Sequence, residues 1–263
     1  MFFKDIEEIE VRRQNLFIVM NTLLLLFSFN VSAYEVGVEF SADALQVSPG
    51  RPPVYSKMYV SKSAVRTEMT QQGRRVIDIA HPKKGKRVLL FPDQKTYMEQ
   101  TGLVVSSSWS GKSPKTPCEG LQDASCKKLG KEILQKVNVE KWQVERKIKG
   151  KTYRSLHWID ANRRIAIKEM LPDGSVSELM MLGKEILNGR NVEQWELRLT
   201  YSSGQNRVSK QWYDTQLKMV IKEEMPGGYL RELNNIKVNK QKKSLFELPK
   251  DYVNITKTKK QSK

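Results

Sequence analysis

The feature that most constrains this chain is an internal repeat. Leu129-Gly130-Lys131-Glu132-Ile133-Leu134 recurs fifty-three residues later as Leu182-Gly183-Lys184-Glu185-Ile186-Leu187. Asn138-Val139-Glu140 followed by Trp142 recurs as Asn191-Val192-Glu193 followed by Trp195. With one more residue of offset the match continues: Trp158-x-Asp160 with Trp212-x-Asp214, Ile167-Lys168-Glu169 with Ile221-Lys222-Glu223, and Pro172-x-Gly174 with Pro226-x-Gly228. A fainter third copy runs upstream from Met58-Tyr59-Val60 to Gln71-Gln72-Gly73-Arg74. A fixed period of this length marks one supersecondary unit used more than once. Two or three copies are too few to close a propeller, which needs about four to eight blades.

Each unit reads as strands. Trp195, Leu197, Leu199 and Tyr201 alternate with Gln194, Glu196, Arg198 and Thr200, a period of two. Gln71-Gln72-Gly73, Pro92-Asp93-Gln94, Pro172-Asp173-Gly174 and Pro226-Gly227-Gly228 carry hairpin-turn chemistry. Leu129 to Val137 is the best short-helix candidate. Its second copy runs into Asn188-Gly189, a turn between strands, so both copies are read as β. The sequence therefore predicts about ten antiparallel strands with little helix. The expected fold is mainly β, a single strongly curved antiparallel sheet in the form of an unclosed half-barrel meander, because a twisted open sheet of that size must curl.

The first 33 residues read as an address. Arg12-Arg13 precedes an apolar run from Leu16 to Phe29, and Val31-Ser32-Ala33 supplies a small-x-small cleavage pattern. The run is shorter than the ~20 residues of a spanning helix. An uncleaved anchor is the competing reading. The domain expectation is a signal peptide over 1–33, cleaved after Ala33 into the periplasm. A sheet domain follows over 34–256, with repeat units near 129–181 and 182–236. A disordered basic tail occupies 257–263.

Of the 263 residues, 46 are Lys or Arg and 29 are Asp or Glu, a formal charge of +17. In a cytoplasmic protein this first suggests nucleic acid. In an exported one it suggests an anionic envelope surface, or a solvated basic surface with no dedicated partner; nucleic acid is not expected. Two Cys and two His exclude a disulfide-dense scaffold and most metal sites. Cys118 and Cys126 lie close together in a Ser/Pro/Gly-rich stretch, and in an oxidising compartment such a pair forms a disulfide. A redox-active pair is the alternative, but no CxxC spacing is present.

Several segments resemble a known group of proteins. They are Lys57-Met58-Tyr59-Val60, Leu90-Phe91-Pro92-Asp93-Gln94-Lys95-Thr96-Tyr97-Met98-Glu99, Cys126 to Glu132, Glu140-Lys141-Trp142, and Leu245-Phe246-Glu247-Leu248-Pro249-Lys250-Asp251-Tyr252. Together they resemble an uncharacterised exported bacterial family similar to the periplasmic lipoprotein-carrier and lipoprotein-sorting superfamily. The resemblance covers most of residues 55–256. It implies an unclosed, curved antiparallel sheet around an apolar cavity, no enzymatic activity and no cofactor. It also implies acyl chains as ligands.

Candidate ligand-binding residues follow from the pattern. Trp142, Trp158, Trp195 and Trp212 occupy matched repeat positions, and Met58, Met69, Met170 and Met181 belong to an unusually Met-rich strand set. They line an acyl cavity or fill a core. Lys83, Lys84, Lys86 and Arg87 sit on a predicted hairpin tip, where they hold anionic headgroups or solubilise the loop. Asp160 and Asp214 are expected to begin turns. Glu68, Glu169 and Glu223, with Lys168 and Lys222, are expected to form cross-strand charge ladders on the outer face. His81 and His157 have no Ser, Cys or carboxylate partner at a motif spacing, and no GxSxG, phosphate loop or HExxH occurs. No catalytic or metal site is expected. The function expected is an exported periplasmic protein sheltering a lipid or lipoprotein acyl chain. The alternative is an envelope interaction or sensor module with a filled core. Oligomeric state is not legible.

Overall fold

The computed structural model describes residues 38–101, 116–119, 121 and 123–256. The signal-peptide and basic-tail readings lie outside the described residues. A first meander comprises β1 (Phe40–Val47), β2 (Val54–Val60), β3 (Val65–Gln71), β4 (Arg74–His81), β5 (Lys86–Phe91) and β6 (Thr96–Gln100). A second comprises β7 (Ala124–Leu134), β8 (Val137–Ile148), β9 (Lys151–Asp160), β10 (Ala166–Met170), β11 (Val176–Leu187), β12 (Arg190–Thr200), β13 (Asn206–Asp214), β14 (Met219–Met225) and β15 (Tyr229–Val238). A two-residue strand, β16 (Val253–Asn254), follows.

All sixteen strands form one sheet, in the order β16-β6-β5-β4-β3-β2-β1-β15-β14-β13-β12-β11-β10-β9-β8-β7. The chain order breaks twice, at β1–β15 and where β16 returns beside β6. The second meander starts at the far edge with β7 and works back until β15 pairs with β1. The β1–β15 ladder is thus a seam between two meanders. β16 and β7 end the sheet without pairing to each other, so it does not close into a barrel. The mainly-β, single-sheet expectation holds. Two details differ from it. There are sixteen described strands rather than about ten, because the first meander's small and polar strands, such as Phe-Ser-Ala-Asp-Ala-Leu-Gln-Val in β1, carry weak alternation. And the sheet is mixed, since β16 pairs with β6 in parallel.

The structure explains the repeat. Each copy is four strands, β7–β10 and then β11–β14. The shared Leu-Gly is a β-bulge: the register slips between Lys128 and Gly130 in β7, and between Met181 and Gly183 in β11. A second pair of bulges falls at the matched Ile167 and Ile221, both buried. Bulges bend a strand and increase its local twist, which is how an open sheet of this width curls. Asp160 and Asp214 begin turns, as their position after Trp suggests. Asp160 Oδ1 accepts from the amides of Asn162 and Arg163 at 2.8 and 3.0 Å. Asp214 Oδ1 accepts from those of Gln216 and Leu217 at 2.9 and 2.8 Å.

After β15 the chain crosses one face of the first meander. A 3-10 turn at Lys243–Phe246 buries Phe246 against Ile77, Ile79, Val88 and Leu90, with Tyr59, Tyr97 and Tyr252 around them. Arg66 fixes it by donating from Nη1 to the Leu245 carbonyl at 2.8 Å. The chain then pairs along β6.

Candidate functional site

The four repeat tryptophans do not form one wall. Trp142 stands opposite His157, and Trp158 is the next residue along β9. Successive strand residues point to opposite faces, so Trp142 and Trp158 lie on different sides of the sheet. The same holds for Trp195 and Trp212, because Trp195 stands opposite Gln211. All four are buried, and each indole N–H is spent on a glutamate. Trp142 donates to Glu140 and Trp195 to the matching Glu193, both at 3.3 Å. Trp158 donates to Glu132 at 2.8 Å, and Trp212 to the matching Glu185. A cation covers each ring: Lys128 over Trp142, Lys141 over Trp158 at 4.8 Å, Arg163 over Trp195 at 5.1 Å and Lys222 over Trp212 at 4.5 Å. Carboxylate and cation thus bracket every indole. Trp158 and Trp195 also share a core cluster with Val139 and Ile167, against which Met181 packs.

Of the methionines, Met58 and Met69 are buried in the first meander, Met181 is half-buried and Met170 is exposed. The predicted headgroup cluster divides. Lys86 pairs with Glu99 at 2.8 Å, and Arg87 is tied to the fully buried Asp78. Lys83 and Lys84 remain exposed on the β4–β5 turn. Cys118 and Cys126 form the expected disulfide, Cα–Cα 5.8 Å, tying the turn before β7 to that strand.

The expected cross-strand charge pairs form in part and with different partners, Lys222 pairing within its own strand. Lys168 pairs with Glu178 at 2.8 Å, and Lys222 with Glu224 at 2.8 Å. Glu223 turns to Arg231 and Gln211. Glu169 takes His157, its Oε1 lying 2.8 Å from Nδ1, while His157 Nε2 lies 2.7 Å from Ser155 Oγ. This Ser155–His157–Glu169 chain spans one strand and its neighbour. No motif spacing announces it.

The described cavities lie elsewhere, along the seam. One of about 580 Å³ is lined by Leu45, Tyr55, Met69, Asp43, Lys57 and Glu68, among others. A second of about 360 Å³ adds Ser41, Tyr59 and Lys237. They share Asp43, Lys57 and Asn235, so together they trace one groove along β1. The seam is where the β1–β15 register slips, between Ser41 and Asp43, and where Asn235 takes φ 51°. On one side stands the Phe246 crossover. On the other, the β11–β12 tip overhangs, its Asn188 donating to Asn234 at 2.8 Å on β15.

Groove electrostatics single out Lys57. Its neighbours across the ladders are Asp43 and Glu68. Asp43 already accepts from Asn235 at 2.8 Å. Glu68 accepts from Arg66 at 2.7 Å and Arg75 at 3.0 Å. Burial raises the Glu68 carboxyl, but the two guanidiniums outweigh it and hold it below the usual range. Lys57 is exposed and borders both cavities. Among the predicted ligand residues only Met69 lines these two cavities. The groove escaped the sequence because β1 and β15 lie nearly 200 residues apart.

No protein-family model matches the chain, and no curated protein matches it. Solved structures do. An outer membrane lipoprotein-sorting protein domain from Vibrio parahaemolyticus is 11% identical, with 81% of this chain and 91% of that chain covered and a TM-score of 0.35. A LolA superfamily protein from Nitrosomonas europaea is 10% identical, covering 82% and 93%, at 0.38. A DUF1329 family protein from Desulfovibrio piger is 10% identical, covering 82% and 91%, at 0.29. Likeness at this identity and superposition assigns the chain to no family.

Proposed function

We propose that this protein is an exported, non-catalytic binding module that shelters an acyl chain in the seam groove. The observation that carries the reading is the groove itself. Its volume falls in the ~300–1,000 Å³ range of small-molecule sites, and its walls are more apolar than polar. Leu45 and Tyr55, which stand opposite each other on one face of the β1–β2 ladder, would take the alkyl chain, each buried CH₂ contributing roughly 0.8 kcal/mol. Lys57, exposed at the groove, would hold an anionic head. The bracketed tryptophans act as frame in this reading, because an indole already held on both sides has little left to offer a ligand.

The test is a titration of delipidated protein with a fluorescent fatty acid. Saturable 1:1 binding is expected, abolished by Leu45→Asp with Tyr55→Asp, weakened by Lys57→Gln, and kept by Trp158→Phe. Binding that survives the Leu45 and Tyr55 changes removes the groove from the reading. No binding at all favours the second reading, an envelope interaction or sensor module with a filled core. That reading is favoured by one observation, the commitment of all four indoles to internal partners.

A further inference from the structure

The meander sorts its turns into two rims, and their charges differ. Antiparallel strands place every second turn at the same end of the sheet. At one end lie the turns 61–64, 82–85, 135–136, 161–165, 188–189 and 215–218. They carry Lys62, Lys83, Lys84, Lys136 and Lys218, with Arg163 and Arg164, and no acidic residue. At the other end the turns carry Arg51, Lys95 and Lys149 beside Asp93 and Asp173. Arg163 and Arg164 are turned inward to Glu193 and Glu140. The lysines of the first rim are exposed.

The central part of this rim is continuous. From β5 to β13 it presents Lys83 and Lys84, then Lys62, then Lys240 just after β15, then Lys218. Turns two strands apart stand about 10 Å apart, roughly one Debye length at 0.1 M salt. Beyond it the β11–β12 tip leans back over β15 through Asn188, and Ile186 on it is 73% exposed, two positions from Lys184 on the same strand face. Cations in a row beside an exposed aliphatic side chain suit a surface that is anionic outside and apolar beneath. The Ser41–Tyr59–Lys237 part of the groove lies towards this end.

We propose that this rim docks on an anionic lipid bilayer, the lysines meeting headgroups and Ile186 entering the interface. The docking does not depend on what the groove holds. The test uses Ala33–Lys263, a compact unit of its own, in co-sedimentation with vesicles of phosphatidylcholine alone or with about one-third phosphatidylglycerol. Binding is expected only to the anionic vesicles. The variant Lys62→Gln/Lys83→Gln/Lys84→Gln/Lys218→Gln is expected to weaken it at least about tenfold. Arg51→Gln/Lys147→Gln/Lys149→Gln/Lys151→Gln removes the same charge from the opposite end and is expected to weaken it less than about threefold. Ile186→Ser is expected to weaken vesicle binding but leave retention on heparin unchanged. Equal losses from the two charge variants, an Ile186→Ser protein that binds vesicles like the parent, or no anionic-vesicle binding each overturn the proposal. Tight heparin or DNA binding without vesicle binding does so too, by assigning the rim to a polyanion. Circular dichroism checks that each variant is folded.

Discussion

Arg87 grips Asp78 with two nitrogens, Nε lying 3.0 and 2.9 Å from its two carboxylate oxygens and Nη2 bonding as well. Asp78 has no exposed surface at all. Desolvation pushes its carboxyl up, against the pull of the guanidinium. Arg87 was read from the sequence as a headgroup contact; in the fold it neutralises a buried acid.

Arg87→Ala should therefore cost about 3–5 kcal/mol at neutral pH by stranding that carboxylate. Replacing both partners, Asp78→Leu with Arg87→Met, should cost far less. The pH dependence has a definite sign. A carboxyl raised in the folded state favours folding when protonated, so the Arg87→Ala deficit shrinks as pH falls through the raised value and is fully present above it. Urea unfolding at pH 7 and pH 5 measures both effects. A deficit that grows on acidification would contradict the account.

Glu140 gives the opposite sign. Hydrogen bonding to Lys128 leads the causes that pull its carboxyl from 4.5 down to about 2, with Arg164 and the Trp142 N–H helping against desolvation. The stabilisation is present above the unfolded value and is lost as pH drops from about 4.5 towards 2. Glu140→Gln should destabilise the protein by roughly 1–2 kcal/mol at pH 7, allowing for solvent screening at Lys128. It should cost almost nothing near the foot of that window. Thermal melts of both proteins across the acid range check it.

The disulfide closes a small loop next to an edge strand. Cys118 joins Cys126, and Lys147 donates its amide to the Asp123 carbonyl at 2.9 Å beside it. Cys126→Ser with Cys118→Ser should lower stability by at most ~3 kcal/mol. Its effect should stay local, because among the described strands β7 pairs with β8 alone. Hydrogen exchange is expected to quicken in Ser125–Lys128 and remain unchanged in β3–β5. Acceleration throughout both meanders would mean the bridge supports the whole sheet.

What the sequence disclosed and what it hid divide along sequence separation. The turn aspartates sit at matched positions of the repeat, so a copied pattern exposes them; the Leu-Gly bulges and the Trp–Glu pairs recur with the repeat but show only once the strands are paired. Glu140 with Trp142 and Glu193 with Trp195 are two residues apart and recur together. The disulfide was legible because its two cysteines lie close together in the sequence. The seam was not, since only register brings Asp43 to Asn234 and Lys57 to Glu68. Register likewise decides that Lys86 meets Glu99 and that Glu169 turns away from Lys168 to His157. A one-residue slip would exchange these partners.

The Ser155–His157–Glu169 chain has the connectivity of a hydrolytic triad and tests the non-catalytic reading most sharply. Nucleophilic chemistry needs a place for the scissile group and donors aimed at the developing oxyanion. Neither described groove cavity touches these residues. His157 also stands between Trp142 and Glu169 within the ladders, as a cross-strand partner to both. The chain is expected to act as a polar tie across β9 and β10. A fluorophosphonate probe should leave Ser155 unmodified, and Ser155→Ala should change stability by about 1 kcal/mol. Stoichiometric labelling of Ser155, lost in Glu169→Gln, would make this site a nucleophile and the protein a hydrolase.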